Sequence, residues 1–358
     1  MFFELSSIHR ILVIKLRHLG DVLLTTPLFS VLKGRFPHAE IDAYVYKDAL
    51  PILEGNPDVS HCHYCDPAWK KLSWWNRLAK ERALLREIRA RRYDLVIQLT
   101  EGDRGAIAAR LSSASIRIGC DPKGEGFLGK KNCYSHIIPS PPQARHCVER
   151  HLDAARCLGI FPKPEERELS FYLPEEATSR VRSLVGKEDF LLVHPFARWS
   201  WKHVSVEQLV AWVRALHARG ERIVLSGSGA EEIAIIDRLL SLLQGVPLLN
   251  LAGKLSIKEL GALIASAKAL FCVDSLPLHL ASAFKTPVVV LFGPTCEKKW
   301  GPWMHPAAEV VTSQHTCRPC LQAGCGGSKK SDCLLSLTTE QILAAYERVT
   351  TKSLSLGK

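Results

Sequence analysis

Short apolar runs recur along the chain, and each ends in Gly, Asp or Pro before a helical pattern begins. Such runs are typical of strands buried on both faces of a parallel sheet. The pattern predicts strands at Ile11–Lys15, Ile41–Tyr46, Leu95–Leu99, Ser115–Gly119, Phe190–His194, Ile223–Ser226, Pro247–Leu251, Ala269–Val273 and Pro287–Phe292. It predicts helices near 205–219, 231–243, 256–267 and 276–284. The alternation of strands and helices predicts two doubly wound α/β sheets.

The segment Gly159–Pro174 separates the two series of strands and holds three prolines among mixed charges. We interpret it as a linker, because prolines in a polar stretch disfavour helix and sheet. The expected organisation is an N-terminal domain at 1–165, a C-terminal domain at 166–337 and a terminal segment at 338–358 with a helix at Thr338–Thr350. Ligands bind at the carboxyl ends of the strands in doubly wound sheets, so we expect the site in a cleft between the domains.

The composition narrows the class of protein. The chain has 358 residues, of which 47% are hydrophobic and 23% are charged. These fractions exclude a disordered protein, a collagen and a small disulfide scaffold, and the length allows about two domains. No apolar run approaches the roughly 18 residues that a membrane span requires. Met1–Arg10 lacks the basic start and apolar core of a signal peptide, so we expect a cytoplasmic protein whose cysteines are mostly reduced.

Most of the net charge of +11 lies in the stretch Trp69–Arg92, which holds nine Lys or Arg residues, two Glu residues and three tryptophans at its start. Basic residues beside aromatic ones suit an interfacial helix on an anionic membrane or a patch for an acidic acceptor. The alternative is the solvated face of an ordinary helix. Nucleic acid is not an expected partner, because no helix-turn-helix, RNP or zinc-finger spacing accompanies the charge.

Asp21 follows the first predicted strand and lies near the start of a helical pattern. Functional side chains gather at this end of a parallel strand. The carboxylate suits a general base, provided that one oxygen reaches the substrate. The alternative is a helix N-cap, in which the carboxylate accepts backbone N–H groups.

Two further strand-to-helix junctions suit a nucleotide. Ser226–Glu232 holds two glycines, which permit close approach of a phosphate, and two glutamates, which can accept from ribose hydroxyls. In Val273–His279, Pro277 is expected in the first helical turn, and the amides at the helix start would face an anion. The alternatives are an ordinary turn, an N-cap role for Asp274 and a hydrogen-bonded interior position for His279.

The loop Arg198–Lys202 places two cations and two tryptophans close together. This combination would hold a diphosphate through charge-assisted hydrogen bonds and exclude water. The alternative is an exposed loop with its tryptophans folded onto the core. Leu291–Thr295 closes a later strand with a loop that would line the same cleft.

These four junctions, in this order, resemble the ADP-heptose:lipopolysaccharide heptosyltransferases of glycosyltransferase family 9. The resemblance covers nearly the whole chain and rests on ILVIKLRHLGDVLLTTP, AEIDAYVY, VDSLPLHLA, TPVVVLFGPT and the Trp300–Trp303 segment. It is closest to the heptosyltransferase III type of the inner core. It implies an α/β GT-B fold, in which two Rossmann-like doubly wound domains face each other across a cleft. It also implies that the C-terminal helix packs back on the N-terminal domain.

The activity implied by the resemblance is inverting transfer of L-glycero-D-manno-heptose from ADP-heptose to a heptose of the lipopolysaccharide inner core. Asp21 corresponds to the proposed general base, and Lys202 to the lysine that contacts the donor diphosphate. The implied donor-binding residues are Ser200, Glu231, Glu232, Leu255, Asp274, Ser275, Leu276 and His279. The alternatives are a heptosyltransferase of type I or II, a related glycosyltransferase, or a sugar-nucleotide-binding protein without catalysis.

Within these implied donor contacts, Glu231 or Glu232 would bind the adenosine ribose, Leu255 would pack on adenine, and the loop from Asp274 would approach the phosphates. No cofactor is expected, because the chain lacks a metal-binding Asp-x-Asp motif. The expected acceptor is the acidic inner core, and the charge argument alone assigns its contacts to Lys15, Arg17, His18 and Arg104. The expected location is the cytoplasmic side of the inner membrane, with peripheral contact to its anionic lipids.

Four cysteines lie within 17 residues near the C-terminus, at Cys317, Cys320, Cys325 and Cys333. Four thiolates can form a tetrahedral zinc site, although this spacing is not that of a standard zinc ribbon. A structural zinc site, disulfides within the loop and plain thiols are the three alternatives. No catalytic metal is expected.

Overall fold

The computed structural model describes residues 8–355, in which the apolar runs form the strands of two parallel sheets. The chain divides into two units, Met1–Tyr172 and Leu173–Lys358, and each contains one six-stranded sheet. Both sheets have helices on their faces, as predicted for doubly wound α/β units.

The first sheet has the strand order β3-β2-β1-β4-β5-β6, and all its strands are parallel. Its strands are β1 (Arg10–Lys15), β2 (Glu40–Tyr46), β3 (His61–Cys65), β4 (Leu95–Gln98), β5 (Ile116–Cys120) and β6 (His136–Ile138). The helices of this unit are α1 (Leu19–Leu23), α2 (Thr26–Arg35), α3 (Leu50–Leu53), α4 (Trp74–Ala90), α5 (Asp103–Leu111) and α6 (Cys147–Cys157). Its core joins Leu12, Ile14 and Val96 of the sheet to Leu84 and Ile88 of α4.

The second sheet has the corresponding order, β12-β11-β10-β7-β8-β9, and is also parallel. Its strands are β7 (Leu191–His194), β8 (Ile223–Leu225), β9 (Leu248–Asn250), β10 (Ala269–Val273), β11 (Val288–Phe292) and β12 (Ala308–Thr312). The helices are α7 (Glu175–Val185), α8 (Val206–His217), α9 (Gly229–Leu242), α10 (Ile257–Ser266), α11 (Leu276–Phe284), α12 (Glu297–Trp300), α13 (Asp332–Leu335) and α14 (Thr339–Ser355). Each sheet therefore has the Rossmann order, in which the first strand pairs with the second on one side and the fourth on the other.

Three strands were not predicted from the hydrophobic pattern, namely β3, β6 and β12. All three lie at the edge of a sheet, and they carry polar residues such as His61 and Glu309. An edge strand has only one neighbour and is more exposed, so it lacks the continuous apolar run that marks a central strand.

The boundary between the units lies at Tyr172, seven residues beyond the predicted end of the first domain. The first part of the predicted linker folds with the N-terminal unit. A 3-10 helix at Pro164–Arg167 packs against α2, and the Ser170 amide donates to Thr26 Oγ1 at 3.0 Å. These contacts move the boundary to the C-terminal end of the proline-containing segment.

The C-terminal helix packs within its own unit, and its predicted packing on the N-terminal domain stays a prediction. Helix α14 packs on α8, β11 and β12 of its own unit, and it buries Ile342, Ala345, Tyr346 and Val349 in the core there. Its Arg348 and Lys352 also pair with the carboxylate of Glu309 on β12. The apolar face of the outer strands has to be buried, and α14, the last helix of this unit, packs on it.

None of the helices within residues 8–355 has the length and apolar character needed to cross a membrane.

The packing of α14 gives a stability prediction. Ile342 is fully buried, so Ile342→Ala should lower the free energy of unfolding of the second unit by about 2 to 5 kcal/mol through lost burial and a residual cavity. Leu354→Ala on the same helix is the control, because Leu354 is exposed and should cost less than about 0.5 kcal/mol. Urea unfolding of the full chain measures both variants. Equal, small effects would show that α14 does not complete this core.

Candidate active site

The reversal of strand order in the second sheet lies between β7 and β10, which are adjacent. The loop after β7 carries Lys202, and the residue directly after β10 is Asp274. Lys202 Nζ donates to Asp274 Oδ2 at 2.6 Å and also lies 3.3 Å from the Asp274 carbonyl oxygen. The side chains are only 17% and 7% exposed, so the ion pair is shielded from water. It joins the two loops at the place where ligands bind in this topology.

Asp274 does not cap the following helix. The N-cap of α11 is Ser275, whose side chain makes no capping bond, and Pro277 lies in the first turn as predicted. Two of the three N–H donors of Lys202 are directed at Asp274, and the third has no hydrogen-bond acceptor among residues 8–355. The ammonium group and the amino-terminal end of α11 therefore lie together, and both favour an anion.

Buried aromatic and imidazole rings pack against the loop that carries Lys202 and hold it in place. Phe196 is buried, and its ring makes edge contacts with His194 and His203. His203 Nε2 donates to the Ala197 carbonyl oxygen at 2.6 Å. Lys202 is thus presented by a braced segment, Ser200–Lys202, which forms a single 3-10 turn.

The tryptophans of this loop lie at its surface. Trp199 is exposed and its ring lies under the Arg198 guanidinium, whereas Trp201 is half-buried with Lys202 Nζ 5.4 Å from its ring centre. Ser200 is half-buried between them. The loop therefore presents two cations and two aromatic rings to a ligand, and Trp199 is not folded onto the core.

His194 ties this loop to the glycine-containing turn after β8. It is buried at the end of β7, and its Nδ1 lies 2.9 Å from Ser226 Oγ. Burial, together with the nearby charge of His203, lowers the pKa of His194 to about 4. The imidazole is therefore neutral at physiological pH and acts as a hydrogen-bonding strut between adjacent strands.

The two glutamates of the turn after β8 have different surroundings. Glu232 Oε2 accepts a hydrogen bond from the Ser228 amide at 2.6 Å; burial raises the pKa of Glu232, and this bond opposes the rise. Glu231 is exposed, and its carboxylate has no hydrogen-bond donor among the described residues. Gly229 has φ +75°, which favours glycine there. Glu231 is thus the carboxylate free to accept from a ribose hydroxyl.

The remaining predicted donor residues lie on neighbouring connections of this sheet. Leu255 is half-buried in the loop between β9 and α10, and Leu276 is half-buried at the start of α11. His279 is buried one turn further along α11. Thr295, in the loop after β11, has a buried hydroxyl that lacks a hydrogen-bond partner within the described part of the chain.

In the first unit, Asp21 lies in the first turn of α1, after β1. The N-cap position of this helix is occupied by His18. Asp21 is therefore not the N-cap, contrary to the alternative given above. Asp21 is half-buried, and nothing within residues 8–355 donates a hydrogen bond to its carboxylate. Both carboxylate oxygens are therefore available to a substrate, as a general base requires.

Lys15 is buried at the end of β1 and does not present its charge at the surface. Its Nζ donates to the Leu99 carbonyl oxygen at 3.3 Å and to His151 Nε2 at 3.0 Å. His151 Nδ1 in turn donates to the Leu24 carbonyl oxygen, and burial lowers the pKa of His151 well below its usual value. Lys15 therefore braces the segment that carries Asp21. No local sequence signal identified His151, which lies 136 residues away.

The other predicted acceptor residues differ in their freedom to bind. Arg17 is half exposed and pairs with Glu101 at 3.2 Å across the reversal between β1 and β4. Burial raises the pKa of Glu101, but hydrogen bonds from its own amide and from Arg17 and the charge of Lys15 outweigh it and lower the pKa. Arg104 pairs with Glu81 of α4 and lies close to Cys65. Arg104 is thus held inside the unit, whereas Arg17 remains at its surface.

The four C-terminal cysteines line one cavity of about 210 Å³, together with His315 and Ser331. All four are free thiols. Burial raises the pKa of Cys333, the charge of Arg318 opposes the rise, and the other three thiols add to it. Disulfides are therefore absent from Cys317–Cys333 in the described structure, and a structural zinc ion stays a prediction.

Comparison with known proteins gives the family. The profile of glycosyltransferase family 9 (heptosyltransferase) matches residues 81–330. The chain is 33% identical over 293 residues to lipopolysaccharide heptosyltransferase 3 of Escherichia coli, which covers 80% of this chain and 84% of the relative. The chain belongs to glycosyltransferase family 9.

Solved structures of family 9 proteins have the same fold. A family 9 glycosyltransferase from Veillonella parvula superimposes with a TM-score of 0.81 and 22% identity, and covers 98% of this chain and 99% of the other. Escherichia coli heptosyltransferase WaaC with ADP-2-deoxy-2-fluoro heptose gives a TM-score of 0.73 and 21% identity, over 94% of this chain and 99% of the other. The predicted family and α/β GT-B fold class are confirmed, and this family 9 chain is a glycosyltransferase.

The buried His194 predicts a pH dependence of stability. Its pKa is about 4 in the folded protein and about 6.5 when unfolded, so the unfolded state binds the proton more readily between these values. The contribution of His194 to the free energy of unfolding is therefore complete above pH 6.5 and is lost as the pH drops toward 4. At pH 4.5, this effect of His194 should lower the free energy of unfolding by about 2 to 3 kcal/mol relative to pH 7.

Urea unfolding of the wild type and of His194→Asn at the two pH values measures this contribution. The variant should lose less stability on acidification, while His38→Asn, which changes an exposed histidine, should behave as the wild type. Parallel pH profiles for wild type and His194→Asn would contradict the assignment.

Proposed function

We propose that this chain transfers L-glycero-D-manno-heptose from ADP-heptose to a heptose of the lipopolysaccharide inner core, as an inverting transferase of the heptosyltransferase 3 type. Its 33% identity to lipopolysaccharide heptosyltransferase 3 over most of both chains supports this specificity. The observation that carries the proposal is the Lys202–Asp274 pair beside the start of α11, which forms an anion site at the strand reversal. The related transferase solved with a fluorinated ADP-heptose supports the choice of donor.

The second unit would bind the donor. The third N–H of Lys202 and the Leu276 amide at the start of α11 would hold the diphosphate, with Ser200 and Ser275 beside them. Glu231 would accept from the ribose hydroxyls, because Glu232 already caps its own turn. Leu255 would pack on adenine, and His279 would support α11 from within.

The first unit would supply the base. The acceptor hydroxyl oxygen attacks the anomeric carbon of heptose, the bond from that carbon to the diphosphate oxygen breaks, and ADP leaves with the electron pair. Asp21 takes the hydroxyl proton in the same step. Lys202 and the amino-terminal end of α11 stabilise the charge that develops on the leaving diphosphate. One in-line displacement inverts the anomeric configuration.

The acceptor would be recognised by charge near the end of β1. Arg17 is half exposed and His18 is half-buried, so both can contact an acidic sugar or phosphate. Lys15 would not touch the acceptor but would hold β1 in place through His151. Arg104 would likewise hold α5 against α4 through Glu81. That the reaction needs no cofactor stays a prediction.

The basic helix α4 would place the enzyme at the cytoplasmic face of the inner membrane. Its two carboxylates pair with Arg104 and with His63, and the Lys and Arg residues of its outer face have no acidic partner within the described chain. Trp74 and Trp75 stack on each other and are 61% and 65% exposed. Exposed indole rings beside uncompensated positive charge suit the headgroup region of an anionic leaflet.

Asp21→Asn should lower the rate of ADP release from ADP-heptose by at least about 100-fold, because the amide cannot accept the proton. Donor binding, measured by calorimetry, should remain close to that of the wild type, since Asp21 lies in the acceptor unit. Asp237→Asn, an exposed change on α9, is the control and should leave the rate unchanged. An Asp21→Asn rate above a tenth of the wild type would show that another group is the base.

The same assay with truncated acceptors tests the specificity. We expect release with lipopolysaccharide that carries two core heptoses and none with heptose-free acceptor. Release with heptose-free acceptor would favour the type I activity, and release only with one heptose the type II activity. Tight donor binding without release from any acceptor would overturn heptosyl transfer to the inner core.

Trp74→Ser with Trp75→Ser should weaken binding to vesicles that contain phosphatidylglycerol by at least about tenfold, because two indole rings leave the interface. Co-sedimentation at low and high salt measures this, and binding should fall as salt screens the basic residues. Phe161→Ser is the control, since Phe161 is another exposed aromatic residue of the same unit. Equal binding to neutral vesicles, or none to anionic ones, would exclude the proposed membrane contact.

A further inference from the structure

A cluster of ligating side chains lies away from the carboxyl ends of the strands. His61 and His63 are two residues apart on the edge strand β3, so they share a face, and Glu87 reaches them from α4. The ligand atoms His61 Nε2, His63 Nδ1 and Glu87 Oε1 all lie within 4.8 Å of one another. Within residues 8–355, this is the one group of three or more such side chains with that spacing.

The hydrogen bonds around His63 determine which of its ring nitrogens carries the proton. Tyr93 donates its only hydroxyl proton to the buried Asp42 Oδ2 at 2.6 Å, and Arg91 Nε donates to the same oxygen at 2.9 Å. The Tyr93 oxygen then accepts from His63 Nε2–H at 2.7 Å. In the neutral imidazole this leaves a lone pair on Nδ1, directed at the carboxylate oxygen of Glu87 only 2.7 Å away. Two lone pairs at that distance repel each other unless a proton or a metal cation lies between them.

We propose that His61, His63 and Glu87 bind a divalent transition-metal ion, with zinc as the best match. Two imidazoles and one carboxylate form a donor set that zinc prefers, whereas magnesium and calcium prefer oxygen ligands alone. Water completes the coordination, because the side chains of His61 and Glu87 are 48% and 54% exposed.

One of the distances matches a tetrahedral site, and a second comes close to it after a small shift. Ligands that are 2.0–2.2 Å from zinc lie about 3.3–3.5 Å apart. His61 Nε2 and Glu87 Oε1 are 3.4 Å apart, and the 2.7 Å contact between His63 and Glu87 has to open by roughly 0.6 Å. Glu87 is half exposed on a helix, so its side chain has room for that shift.

The surroundings of His63 are those of a supported metal ligand. A ligating histidine usually donates its other ring N–H to a fixed acceptor, which sets the tautomer and the ring plane. Tyr93 is that acceptor here, and it is held in turn by Asp42 and Arg91. His63 is buried and its Nε2 is engaged by Tyr93, so Nδ1 is the ring nitrogen that can bind a metal ion.

Such an ion would connect the edge strand β3 to α4. His61 pairs in register with Asp42 in the amino-terminal half of β2, whereas Asp21 and Arg17 follow the carboxyl end of β1. The site is therefore separate from the residues assigned to transfer. Its effect would be to fix the basic helix on the sheet and to raise the stability of the first unit by mass action.

Equilibrium dialysis with Zn²⁺ tests the proposal, in full-length protein that carries Cys317→Ser and Cys320→Ser to remove the thiol cavity as a competitor. We expect one Zn²⁺ per chain, and a thermal midpoint that rises with zinc concentration. His61→Ala and Glu87→Gln should each lower the affinity at least about tenfold, since each removes a ligand. His38→Ala changes an exposed histidine elsewhere in this unit and should have no effect.

Co²⁺ provides a second readout in the unaltered chain. Binding at the histidine cluster should give visible ligand-field absorption that His61→Ala removes, without the near-ultraviolet charge-transfer absorption of thiolates. Zinc binding that is absent from the cysteine variant, or that is unchanged in His61→Ala and Glu87→Gln while these variants remain folded, would overturn the proposal. The contact between His63 and Glu87 would then be an ordinary imidazolium–carboxylate hydrogen bond.

Discussion

A parallel sheet whose strand order reverses must send the connections from its two central strands to opposite faces, and this constraint determines where the chain can act. In each unit the reversal lies between the first and fourth strands. Polar groups meet there because the diverging loops leave a crevice that apolar residues do not fill. Lys202 and Asp274 meet across one reversal, and Arg17 and Glu101 across the other. The chemistry of both units therefore follows from the same topology, although their side chains differ.

Charge in the crevice of the second unit is held in place rather than left mobile. Lys202 is shielded and directed by Asp274, and its loop rests on Phe196 and on the neutral, buried His194. A cation that is already oriented loses less conformational freedom when an anion binds, so less of its interaction energy is offset by lost entropy. In the first unit, Lys15 serves the opposite purpose, because its buried ammonium is used for internal hydrogen bonds that fix β1.

The hydrophobic pattern predicted the central strands well, because a strand buried on both faces can hardly tolerate polar residues. It missed β3, β6 and β12, which lie at sheet edges. The amphipathic pattern of α14 shows that the helix must cover a core but does not say which core. The histidine cluster on β3 was missed for the same reason, since His61, His63 and Glu87 come together only when the edge strand pairs and α4 packs on it.

The sequence by itself determined the two doubly wound units, the junctions that carry Asp21, Lys202 and Asp274, and the resemblance to family 9, because these depend on local order along the chain. Only the tertiary structure decided what each side chain at a junction is free to do. Asp21 lies within the first turn of its helix and not at the N-cap, Asp274 pairs with Lys202, and Glu232 is engaged by Ser228 while Glu231 is not. The reason is physical: spacing fixes which end of a strand a residue follows, but hydrogen-bond partners come from segments tens of residues away, and only packing brings them within reach.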